Sequence, residues 1–190
     1  MDHLLGSAAA VYRQQNRTAQ AGLSLIEVSV VMAIILLIAI VSIPTINNYV
    51  IESRVPKVGE SVARFIANHN ANTPLFEQQP YAGIDNELFA LQMESAGVFN
   101  ISTTGGGTVI LHGLGKNGTL DISGGDELVI LFSGVHHSAC PGLSSVLQRL
   151  AHTIQVGEQT VKADNQTYNA ITAQKKCAKG DVNTFKFTIS

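Results

Sequence analysis

From Leu23 to Ile46 the chain carries a single charged residue, Glu27. Between Val28 and Ile43 only Ser29 and Ser42 interrupt the apolar run. A helix of about 20 apolar residues spans a bilayer core of about 30 Å, so this stretch is long enough to cross one. It is apolar on every side rather than along one stripe, which fits a membrane span better than a surface helix. Glu27 is then the anomaly. A carboxylate at the centre of a membrane helix costs about 2.5–3.5 kcal/mol, and less near the interface. An ionisable residue in that setting implies a partner, and an ammonium group on a neighbouring helix would serve. The alternative is a side chain that reaches back to the lipid headgroups.

Charge gives the orientation. Arg13 and Arg17 precede the run, whereas the first charges after it, Glu52, Arg54 and Lys57, are mixed. The positive-inside rule places the N-terminus in the cytoplasm and the C-terminal part outside. A secretory signal peptide would be cut after the apolar segment, but Ser42-Ile43-Pro44-Thr45 is a poor site for that. The overall net charge of −2 gives no basic footprint for nucleic acid.

The residues Gly22-Leu23-Ser24-Leu25-Ile26-Glu27, followed at once by the apolar helix, resemble the prepilin processing site of type IV pilins and type II secretion pseudopilins. The resemblance covers the first 30 or so residues after Gly22. It implies that a prepilin peptidase cuts between Gly22 and Leu23 and that Leu23 is then N-methylated. It makes Glu27 the family's assembly glutamate, which sets register by meeting a neighbour's α-ammonium. Pro44 falls where many type IV pilins have a helix-bending proline. The leader of 22 residues and a first mature residue that is not Phe look like the type IVb branch. One departure is that the nearest basic residue before Gly22 is Arg17. Of 12 Lys and Arg and 14 Asp and Glu, the leader holds Arg13, Arg17 and Asp2, so the mature chain has 10 and 13 and a net charge of −3.

The part after the span is large enough for one domain with its own core. Its two cysteines, Cys140 and Cys177, lie on the side assigned to an oxidising compartment, where an even pair reads as a disulfide. The alternative is two free buried thiols. Ile51, Val55, Val58, Val62, Phe65 and Ile66 recur at helical spacing. The pattern predicts one long helix from about Leu23 to Asn70, bent near Pro44 and Pro56. Residues 75–107 read as an irregular connection holding a short helix that Asp85 caps and Gly97 ends. Strands follow around 108–111, 119–122 and 127–132, with Asn117-Gly118 as a hairpin signal. A helix over 144–151, a short hairpin over 153–163 and an alternating strand over 184–189 complete the reading. The resemblance implies that this last strand lies inside the sheet.

Other constellations are weaker. Gly113-x-Gly115-Lys116-x-Gly118 lacks the spacing of a phosphate loop and sits between strands, so a turn explains it better. His136-His137-x-x-Cys140 has too few ligands for zinc once Cys140 is in a disulfide. Asp121, Asp126 and Glu127 read as a solvated loop rather than a calcium site. Lys175, Lys176 and Lys179 read as a solvated basic face. No catalytic arrangement stands out, and no cofactor or metal is expected.

The expected fold is α+β: a long N-terminal helix packed on an antiparallel sheet, with a disulfide-closed C-terminal region. The expected organisation is a cytoplasmic leader over 1–22, a transmembrane or filament-core half-helix over 23–46, and an outer domain over 47–190. The resemblance implies a homopolymeric pilus subunit, used for adhesion, conjugation or a related surface function. Its implied partners are the prepilin peptidase and the assembly machinery of the inner membrane. Alternatives are a minor pilin or secretion pseudopilin and, from another class, a signal-anchored periplasmic binding domain.

Overall fold

The computed structural model describes residues 24–74 and 78–190. They fall into two compact units, divided between Val41 and Ser42. Helix α1 is Leu25–Asn72 and runs without a break through the division and through both Pro44 and Pro56. Each proline lacks an N–H, so the carbonyls of Ile40 and Glu52 lose their usual helical donor. Ser53 turns its hydroxyl to the Val50 carbonyl at 2.8 Å.

In the first unit the helix is apolar and uncovered. One 18-residue window within α1 has a mean hydropathy of 2.9, and none of it is buried.

In the second unit the expected stripe is the buried one. Val55, Val58, Val62, Phe65 and Ile66 are all buried, and Ile51 packs against them at the edge. Phe65 meets Phe89 edge to face at 4.9 Å between ring centres. Phe89 lies on α2, Asn86–Met93. As the sequence suggests, Asp85 caps this helix, its carboxylate accepting the Leu88 N–H at 2.9 Å. A 3₁₀ turn over Glu94–Ala96 continues it, and Gly97 at φ 63° ends it in the left-handed conformation that glycine tolerates best.

The irregular reading of 75–107 is corrected by β1, Asn100–Thr104. It pairs antiparallel with β2, Gly107–Leu111, around a turn at Gly105 and Gly106. Only Ile101 in β1 is apolar, so the strand shows no alternation to read. Next come β3, Thr119–Ser123, and β4, Leu128–His136. Helix α3 is Cys140–Leu147, four residues earlier than the 144–151 expected, because Pro141 opens it in the first turn. The hairpin of β5, Thr153–Val156, and β6, Gln159–Lys162, forms where it was expected. Helix α4, Ala170–Lys176, was not foreseen; it buries only Ala173 and so leaves no periodic signal. Asn169 caps it by accepting the Thr172 N–H at 3.0 Å.

The last strand described, β7, is Asp181–Ile189. It sits inside the single sheet, whose order is β1-β2-β3-β4-β7-β5-β6. All pairings are antiparallel. Alternation puts Leu120, Ile122, Ile130, Phe132, Phe185 and Phe187 on one buried face. That face and the α1 stripe form a single core.

The glycines of the 112–118 loop are there for close packing. A Cβ on Gly115 would run into the Gly134 carbonyl oxygen and lie 3.0 Å from Asp181 Oδ1. Gly134, at φ 71°, lies where the β4–β7 register shifts between Phe132 and Val135. Gly125, by contrast, faces open space. Gly115→Ala is expected to lower unfolding stability by about 1–3 kcal/mol, as overpacking does, while Gly125→Ala changes it by under about 0.5 kcal/mol. Urea denaturation of the two variants in parallel checks the contrast.

Candidate assembly site

The charged end of the apolar helix is built by its first turn. The Val28 N–H donates to the Ser24 carbonyl at 3.1 Å, and the Ser29 hydroxyl to Ile26 O at 2.8 Å. Glu27 sits in this turn, where the positive end of the helix dipole favours a carboxylate. Its side chain heads a shallow groove continued by Val28, Val31, Met32 and Ile35. Steps of three and four residues put these on one side of the helix. Glu27 therefore marks one end of an apolar strip as its ionisable group. Leu25 and Ile26 beside it are 89% and 72% exposed. An apolar surface this long and uncovered is an interaction surface for lipid or protein.

Of the residues singled out in the sequence, Gly22 and Leu23 lie outside the described residues, as does the leader. Glu27 is exposed in the first turn of α1, and Pro44 and Pro56 are interior to that helix. Cys140 and Cys177 form a disulfide, with a Cα–Cα distance of 6.1 Å. It ties the start of α3 to the end of α4 across 37 residues of sequence. In the chain-entropy account a loop of that size is worth about 4 kcal/mol. The acidic residues considered for calcium go separate ways. Asp121 accepts from the Asn86 amide at 3.2 Å, and Glu127 faces His152 at 3.3 Å. Among the described residues no group of three His, Cys, Asp or Glu side chains could hold a metal.

Sequence reasoning passed over His112. It is fully buried at the start of the loop between β2 and β3. Its Nδ1 accepts the Leu114 N–H at 2.9 Å, so Nε2 carries the proton and donates to Ser133 O at 3.0 Å. Burial pushes its pKa below the ordinary value, although the bond to Ser133 pulls the other way. One signal lay in the loop itself, where three glycines follow a lone histidine within six residues.

The 91–190 segment, just over half of the chain, matches the protein family described as PilS N terminal. The chain belongs to the PilS N-terminal family. Among solved structures, this PilS-family chain is similar to one titled "Crystal structure of type IV b pilin from Salmonella typhi". The identity is 14%, the TM-score 0.47, and the match covers 72% of this chain and 95% of that one. No curated protein shows significant similarity to the chain. The family, the long apolar helix, the antiparallel sheet and the disulfide together make this a pilin-like α+β protein.

The His112 geometry sets a pH dependence. A folded-state pKa held below the unfolded one leaves the fold at full strength above the unfolded value, near 6.5. Stability is lost as pH falls below it, because the unfolded chain takes up the proton first. The expected loss is at most about 1.4 kcal/mol per pH unit for one proton. His112→Phe is expected to be less stable at pH 7.5, since it strands the Leu114 N–H and the Ser133 carbonyl, and to show a flatter acid limb. Thermal unfolding at steps between pH 7.5 and 5 checks both.

Proposed function

We propose that this chain is the structural subunit of a type IV pilus of the IVb kind, held in the inner membrane until it polymerises. The observation that carries the reading is the uncovered apolar half of α1, continuous with a half that is the core of a folded domain. One sequence has been given a helix for two different surroundings. Membership of the PilS N-terminal family supports the same reading.

In this mechanism a prepilin peptidase removes residues 1–22 and Leu23 becomes the methylated N-terminus. Uncut, the chain has no ammonium at Leu23 and Glu27 has no counterpart. Cut, the ammonium of one subunit meets the Glu27 carboxylate of the next within an apolar helix bundle. The attraction is strong where water is scarce, but desolvation cancels much of it. The pair therefore selects axial register more than it adds stability. Small bends at Pro44 and Pro56 would let the helix follow its neighbours. The outer domain faces the periplasm before assembly and the surrounding medium afterwards, where the disulfide is stable. Adhesion or conjugation would then be the work of its exposed loops.

Filaments sheared from cells and weighed intact test this directly. The expected main species begins at methylated Leu23 and is lighter by two hydrogens for the one disulfide. An uncut chain in that fraction would refute the processing step. Glu27→Ala is expected to be processed normally yet to give at least about tenfold fewer filaments, equivalent to about 1.4 kcal/mol of assembly free energy. A normal filament yield from it would remove the register role.

A further inference from the structure

We propose that His136 and His137 form an acid-sensitive latch on the disulfide-closed part of the domain. His136 ends β4 and His137 opens the turn after it, beside the start of β7, and His136 pairs across the strands with Asp181. Each ring accepts a backbone hydrogen bond at Nδ1. The Ser138 N–H donates to His136 at 3.2 Å, and the Gly180 N–H to His137 at 3.4 Å. The His137 N–H in turn donates to Gly180 O at 3.0 Å. A ring nitrogen that accepts carries no proton, so in this arrangement both imidazoles are neutral with the proton on Nε2. The ring centres are 4.1 Å apart.

Protonation of either ring removes an acceptor from the latch, and protonation of both sets like charges against each other. The surroundings hold further charge. Arg54 of α1 and Lys116 of the 112–118 loop line the same cleft as His136 and Asp181. Lys179 belongs to the turn that the latch holds. The carboxylate in this group is Asp181, whose Oδ1 is buried without a hydrogen-bond partner. Burial and then His137 push the His136 pKa down, and Asp181 opposes them. Once charged, His136 becomes a donor for that unpaired Oδ1. The acid form therefore exchanges the Ser138 bond for Asp181 rather than staying in place.

A second tie does not titrate. The Asn183 amide accepts from Ala178 N at 2.7 Å and donates to Ala178 O at 2.9 Å and to Val135 O at 3.0 Å. It keeps the start of the turn on the sheet while the histidine end opens. The loosening is therefore local, between Cys177 and Asp181, and leaves the sheet intact. This inference does not depend on the chain's polymerising.

The test uses the full-length chain in detergent micelles at pH 7.5 and 5.0. Ring ¹⁵N shifts at pH 7.5 should report the Nε2–H tautomer for both histidines. Amide exchange should then show the protection of Ser138 and Gly180 falling about tenfold at pH 5.0 relative to that of Ile122 and Ile130 in the sheet. In His137→Asn, the relative loss at Gly180 should shrink to under about twofold. An Nδ1–H tautomer at either ring would overturn the proposal. So would equal losses of protection in latch and sheet, which would mean general acid unfolding.

Discussion

Everything in this protein depends on one helix serving two kinds of surroundings. From Val55 onward α1 offers a stripe that the domain core buries, and its polar faces meet water. Between Val28 and Val41 it has no polar face to offer. Apolar side chains there are each worth about 1.5–3 kcal/mol when taken out of water, so the exposed half is unstable as a free surface in solution. Within the folded domain, the buried face of the sheet is occupied by Val55, Val58, Val62, Phe65 and Ile66. Lipid or other apolar helices would cover the exposed half. Between lipid and a bundle of like helices the hydrophobic difference is small, and packing and polar contacts decide. That is why a single carboxylate in the first turn carries so much of the proposed assembly.

The domain itself is closed by two devices of different kind. Phe132, Phe185 and Phe187 put aromatic volume at the centre of the sheet, with Phe132 and Phe187 edge to face at 5.8 Å. Around the rim, polar side chains replace missing backbone partners. Lys162 donates to Gln148 O and Ala151 O at 2.7 and 2.6 Å, closing the segment that follows α3. The Ser144 and Tyr168 hydroxyls meet at 2.7 Å. The disulfide joins the two short helices that neither length nor burial would stabilise alone.

What the sequence disclosed is what repeats. The α1 stripe, the Asp85 cap, the Gly97 stop, the β5–β6 hairpin and the alternating β7 each follow a local rule with several residues behind it. Strand β1 has one apolar residue and a half-exposed edge, so its pairing with β2 decides its state rather than its own composition. Helix α4 is seven residues long and contributes one buried alanine. The start of α3 is set by Pro141 and a cysteine whose partner is 37 residues away. His112 escaped notice because its importance lies in two hydrogen bonds across the loop and to β4, which no spacing reveals. At the proposed assembly site Glu27 was conspicuous, as the one charge in a long apolar run.

The place of β7 has a consequence for how the chain comes together. Strands β1 to β4 can zip up by local hairpins, and β5 with β6 forms another, but among the described residues no strand of one group pairs with a strand of the other. In the described sheet the bridge between them is β7, a strand that follows all of them in the chain. Until it arrives, β4 and β5 each present an open edge, and open edges recruit other chains. In the proposed membrane-held state, a chain is thus most vulnerable to wrong partners just before β7 is inserted. Membrane tethering and late closure together put a premium on keeping half-made neighbours apart.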